Sequence, residues 1–255
     1  MRIDSHTHMG MGLAYASSAT LCRATTGNEL VHLMDSANVD IAVTFPPPWK
    51  GGFTDPDYQE GNRMVYEAVC EFPTRLVGFA WINPKFGNAS RKLAQKCIEE
   101  YGFKGLKMHP AFDSFSPLDE KLVFPIMEMA SDWNIPVLFH TGDPPGSAPM
   151  LFLPLAERFP SVPIILAHMG YRLVEDAIFV AQRAPHVYLD TAENTPIAVA
   201  QGVRQLGAER ILFGSDTPYH MMEIEAAKIT CLPTITEEEK ALVMGKNIAR
   251  ILNLE

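Results

Sequence analysis

Two histidines separated by a single residue, His6 and His8, close the short run Arg2-Ile3-Asp4-Ser5 near the start of the chain. In an extended segment, residues two apart project to the same face, so both imidazoles address one point, as metal ligands must. Two imidazoles alone hold a transition metal weakly, so further donors must come from elsewhere. The ionisable residues that could supply them recur along the chain: Lys107 and His109, then His140, His168 and Asp216.

These residues are far apart in sequence, and only an architecture that gathers distant segment ends can unite them. Short apolar or β-branched runs alternate with longer stretches of helical period, the pattern of repeated βα units around a parallel sheet. Eight strands are predicted, at 2–6, 40–45, 76–82, 103–109, 136–140, 163–168, 186–190 and 210–215. Helices are expected between them, for example over 29–37, 89–101, 118–134 and 148–159. In the third of these, Leu122, Ile126, Met129 and Trp133 recur at three- and four-residue steps, as a helix packed on a sheet requires. Eight units in one chain of 255 residues, with no linker or repeat dividing it, predict a single-domain α/β fold over 1–255: a (β/α)8 TIM barrel. A doubly wound open sheet is the lesser alternative, since no Gly-rich phosphate loop follows the first strand. Every ionisable residue named above falls at or just past the C-terminal end of a predicted strand, and a closed barrel collects those ends around one mouth.

Five segments arrive in a telling order: His6-Thr7-His8, Phe103-Lys104-Gly105-Leu106-Lys107-Met108-His109-Pro110, Leu138-Phe139-His140-Thr141-Gly142, Leu166-Ala167-His168-Met169-Gly170 and Phe213-Gly214-Ser215-Asp216-Thr217-Pro218. In this order they resemble the amidohydrolase superfamily, and within it the branch that includes aminocarboxymuconate-semialdehyde decarboxylase. The resemblance implies His6, His8, His140 and Asp216 as metal ligands, with His168 a catalytic residue beside the metal. Physically, three neutral imidazoles and one carboxylate around a divalent ion leave net positive charge and room for a water, whose pKa zinc lowers to about 7. One divalent ion is expected, zinc first, with manganese, iron, cobalt or nickel able to occupy such a site. A second metal is not expected. Asp216 could also accept the water's proton, and His168 could orient the water or donate to a developing oxyanion. Lys107 and His109 share parity and are read as substrate-side groups, suited to a substrate carboxylate; a carboxylated Lys107 bridging two metals is the lesser reading. Trp49, in the Pro-rich loop of 45–57, and Arg172, after Gly170, complete the substrate-side candidates, and Tyr219 and His220 lie on another mouth loop.

Metal-dependent hydrolysis of an amide, lactone or ester carbonyl in a small, carboxylate-bearing substrate is the leading expectation. Non-oxidative decarboxylation on the same site is the alternative, and a metal-binding protein without catalysis the least favoured. The chain carries 30 acidic against 21 basic residues, a formal charge of −9, without a Lys/Arg cluster of the kind phosphate binding needs, so no nucleic-acid partner is expected. Apolar runs of membrane-spanning length and a signal-peptide pattern are absent, which predicts a cytoplasmic protein with no membrane partner. The four cysteines are scattered without a C-x-x-C pair and are expected to be free thiols. Homo-oligomerisation is left open.

Overall fold

The computed structural model describes residues 1–10, 22, 24–48 and 55–254, the side chains of 55–57 excepted. Eight parallel strands follow one another around the sheet in sequence order: β1 (Ile3–His8), β2 (Ile41–Phe45), β3 (Leu76–Trp81), β4 (Gly105–Met108), β5 (Val137–Phe139), β6 (Ile164–Leu166), β7 (Val187–Asp190) and β8 (Ile211–Leu212). Several, such as Val137-Leu138-Phe139 and Ile164-Ile165-Leu166, are buried along their whole length, as expected of strands packed on both faces.

The ring is closed by hydrogen bonds between β1 and the segment after β8. Ser5 N–H donates to the Phe213 carbonyl at 2.8 Å, Asp216 N–H to His6 at 2.8 Å, and His8 N–H to Thr217 at 2.7 Å. This is the predicted (β/α)8 barrel. Each predicted strand is found, but most are shorter: the 163–168 segment pairs only over Ile164–Leu166, and the 210–215 segment only over Ile211–Leu212. Past β6 and β8 some backbone N–H groups leave the ladder for side chains at the mouth: His168 donates to Asp190, Gly214 to Thr191 and Ser215 to Asp4. β1 is instead longer than predicted and extends to His8.

Helices cover the outside. The predicted 118–134 helix spans Glu120–Asp132, started by Asp119, whose carboxylate accepts from the backbone N–H of Lys121 and Leu122. Its buried stripe is Val123, Ile126, Met127 and Ala130, while Leu122, Met129 and Trp133 lie at the stripe's edge, partly buried against the core. Glycine makes room where aromatic rings fill the interior: a Cβ on Gly105 would fall 2.5 Å from the Phe79 ring. No helix among the described residues is long and apolar enough to cross a membrane.

Candidate metal centre and active site

The register between β1 and β2 slips by one residue between Asp4 and Thr7, a bulge that contains His6. Such irregularities re-aim side chains at barrel rims. Here the rings of His6 and His8 converge, with centroids 5.4 Å apart. Between them and β8 lies Asp216, whose Oδ1 is 2.9 Å from His6 Nε2 and 3.1 Å from His8 Nε2. Gly214 allows this approach, because a Cβ there would stand 3.0 Å from His6 Cβ and 3.1 Å from Asp190 Oδ1.

Hydrogen-bond partners on the outer ring nitrogens indicate what the inner ones present. His8 Nδ1 lies 3.0 Å from the Pro46 carbonyl, which can only accept, so Nδ1 carries the proton. Burial lowers the pKa of His8 against the pull of Asp216, leaving a neutral ring whose Nε2 lone pair faces a carboxylate oxygen. His6 Nδ1 donates to Asp190 Oδ2 at 2.8 Å. Its Nε2, fully buried, makes no hydrogen bond despite its closeness to Asp216. Burial and Lys107 disfavour a charge on His6, but Asp190 and Asp216 outweigh them and raise its pKa to about 9. Asp216 is also pushed upward by burial, yet His6 and His8 hold it well below the usual carboxylate range. Lone pairs from two imidazoles aimed at one carboxylate oxygen repel unless a cation or a proton lies among them. In the metal-free protein the extra proton on His6 lies among them; with that proton gone, His6, His8 and Asp216 offer the same place to a divalent metal, and Asp190 behind His6 is the kind of carboxylate that orients a ligating histidine.

His140 stands one residue removed from this cluster. Its Nε2 pairs with Asp143 Oδ2 at 2.7 Å and its Nδ1 lies 3.2 Å from His168 Nε2. Its ring stacks on His109 at a centroid distance of 3.7 Å. The anchored Nε2 again leaves an inward nitrogen as a donor to a metal, but the structure places that nitrogen against His168 rather than beside Asp216. Burial, His168 and Lys107 all hold the pKa of His140 well below the ordinary imidazole value.

His168 follows β6 in a short turn over Ala167–Gly170, with φ of 59° at His168 and 48° at Met169. Tyr171, Glu193 and Asp216 also have positive φ, so left-handed non-glycine residues gather at this mouth. Each costs on the order of 1–3 kcal/mol unless its surroundings impose it, and such strain concentrates at functional sites. Those surroundings are visible: Asp190 Oδ1 accepts from His168 N–H at 3.0 Å, and Asn194 Nδ2 donates to the His168 carbonyl at 2.7 Å. Burial lowers the pKa of His168 to about 4, so the ring is neutral at neutral pH.

Lys107 points into the barrel, 1% exposed, with Nζ 4.9 Å from the Phe45 ring centroid and 6.0 Å from that of Trp81. Burial lowers its pKa to about 8, against the attraction of Asp216, Asp190 and Asp113. His109 accepts from Phe112 N–H through Nδ1 and lies between Trp81 and His140 in a stack of flat rings. Trp81 is fixed by Nε1 donation to Asp113 at 3.0 Å, and Asp113 also accepts from the Tyr58 hydroxyl. Arg172 is exposed and lines a groove of about 430 Å³ with Tyr171, Glu193 and Asn194, outside the cluster of site imidazoles. Trp49 lies outside the described residues.

Asp190, Asp113, Glu193 and Trp81 were not singled out from sequence. For Asp190 a signal existed, since it ends β7 as the other candidates end theirs. Asp113 ends the short helix Pro110–Asp113 and Glu193 lies in the turn after β7; both stand beyond the strands and carried none.

The family profile described as amidohydrolase matches residues 3–254. Among solved structures, 2,6-dihydroxybenzoate decarboxylase from Rhizobium is 15% identical with a TM-score of 0.79, covering 99% of this chain and 98% of that one. A dihydroxybenzoic acid decarboxylase from Polaromonas, solved with bound manganese and 2-nitroresorcinol, is 17% identical with a TM-score of 0.77, covering 99% and 97%. The 4-oxalomesaconate hydratase of Rhodopseudomonas palustris is 17% identical with a TM-score of 0.72, covering 99% and 96%. These likenesses are ones of fold, and the profile match over residues 3–254 shows that the chain belongs to the amidohydrolase family of metal-dependent enzymes.

Proposed function

We propose that the chain is a metal-dependent hydrolase acting on a carbonyl group of a small carboxylate-bearing substrate. His6, His8 and Asp216 would hold a divalent ion, zinc or the manganese found in a structural relative, with His140 completing the set. When bound, that ion supplies a polarised water and a Lewis acid for the carbonyl. The observation that carries the reading is Asp216: one ionised carboxylate touches both candidate ligand imidazoles, and so would stand beside a bound ion and its water. There it would take the water's proton and return it to the leaving group. His168, neutral and 3.2 Å from His140, orients the water or donates to the developing oxyanion. Lys107, a buried cation facing aromatic rings and without a hydrogen-bond partner among the described residues, receives the substrate carboxylate. Burial strengthens that pairing because little solvent competes for either charge.

A second reading, non-oxidative decarboxylation, is favoured by the wall of Phe45, Trp81 and His109 around Lys107, which suits a planar conjugated acid. Two of the structural relatives named above act on dihydroxybenzoates. The metal-loaded protein is tested on a panel of aryl and enol carboxylates, lactones and amides in 18O-labelled water. Label in the product acid supports hydrolysis, whereas release of carbon dioxide without label in the product supports the lyase. Turnover that survives His6→Ala together with Asp216→Ala overturns both.

A further inference from the structure

Three site imidazoles have an acceptor behind them: Asp190 behind His6, the Pro46 carbonyl behind His8 and Asp143 behind His140. His168 has none within hydrogen-bond reach. Its Nδ1 is buried and unpartnered, and the carboxylate that faces it, Glu193 Oε2, is 3.9 Å away, beyond hydrogen-bond reach.

Counting protons explains the gap. His140 donates its Nε2–H in a hydrogen bond to Asp143, so its Nδ1 is an acceptor, and the N–H that reaches it is on His168 Nε2. A neutral His168 then has no proton left for Nδ1. The open end of this chain is held ready. Glu193 has a left-handed φ of 60°, its N–H donates to Glu225 Oε2 at 3.0 Å, and its Oε1 pairs with His220 Nε2. Lys228 bonds Glu225 and also the carbonyls of Thr191 and Asn194, on either side of Glu193.

We propose that Glu193 is the positioning residue for His168: once the inward lone pair of His140 is engaged elsewhere, the His168 proton moves to Nδ1 and Glu193 accepts it. A closure of about 1 Å from the present 3.9 Å makes a normal hydrogen bond. The consequence is a choice of chemistry. With Nδ1–H held by Glu193, His168 presents a lone pair inward and orients water as an acceptor; with Nε2–H it can act only as a donor.

The test reads tautomers and needs no substrate. Long-range 15N–1H correlation spectra are recorded on histidine-labelled protein, with His168→Asn for assignment. Metal-free wild type should show His168 as Nε2–H. His140→Ala removes the competing acceptor without any metal, and should convert His168 to Nδ1–H. Adding Glu193→Ala to that variant should return it to Nε2–H, with Glu193→Gln, which keeps an acceptor oxygen, holding Nδ1–H in part. Zn2+-loaded wild type should match His140→Ala. The proposal is overturned if His168 keeps Nε2–H in His140→Ala, or if Glu193→Ala leaves its tautomer unchanged there. Only the Zn2+ arm rests on the metal reading of the site, so a protein that binds neither Zn2+ nor Mn2+ refutes that reading while the His140→Ala pair still decides the role of Glu193.

Discussion

Asp190→Asn should weaken metal binding through His6 while touching no ligand. Asp190 is fully buried, and its Oδ1 accepts from the backbone N–H groups of His168 and Ala192, both at 3.0 Å. An asparagine must keep its oxygen on those two donors, so its amide nitrogen is forced toward His6 Nδ1. That nitrogen then accepts instead of donating, and the proton of His6 moves to Nε2, where the metal is expected. Loss of such a supporting carboxylate typically costs about 10- to 100-fold in metal affinity, or about 1.4–2.8 kcal/mol. The pH of measurement matters. His6, with its pKa raised to about 9, is protonated at pH 7 in the metal-free protein, and this competition alone weakens apparent affinity by about 100-fold. Asp190→Asn removes part of that competition, because the lost carboxylate no longer raises the pKa. At pH 7 the two effects oppose one another, and above about pH 9 only the loss remains. Competition with a chromophoric chelator, run at both pH values on wild type and variant with folding checked by circular dichroism, measures it. A folded variant that binds Zn2+ as tightly as wild type above pH 9 refutes the assignment of His6 Nε2 as a ligand held by Asp190.

Asp143→Ala frees His140 Nε2, but Asp143 is 56% exposed and replaceable by water, so Zn2+ affinity in the same assay should fall by only about 3-fold. Lys107→Met keeps an apolar chain between Phe45 and Trp81 while removing the cation; for a carboxylate substrate or inhibitor, affinity should drop by about 10- to 100-fold, with thermal stability equal to or above wild type. Burial raises the Asp113 carboxyl to about 7 from 3.8, against its hydrogen bonds from Tyr58 and Trp81. The unfolded chain therefore ionises first as pH rises. Stability should decline through the window from about 4 to about 7, by at most about 4 kcal/mol, and the cost persists above it. Urea unfolding across that range should show this slope in wild type and a flatter one in Asp113→Asn.

The barrel was legible in the sequence because strand and helix periods, turn residues and chain length all pointed to one architecture, and the order of the five motifs placed the chemistry at its mouth. Residue types and their order along the chain also named the candidate donors, His6, His8, His140 and Asp216. Tertiary structure alone decided which nitrogen each imidazole turns inward, because that depends on acceptors from other elements: Asp190 on β7, the Pro46 carbonyl after β2, Asp143 beyond β5. It also stacked His140 on His109 with its inward nitrogen against His168, and it left Arg172 exposed on a groove that Tyr171 and Glu193 also line. Periodicity and motif order record which strand a residue ends. Ring orientation and protonation are set by contacts between residues that sequence distance does not relate, and only the closed barrel brings those contacts into being.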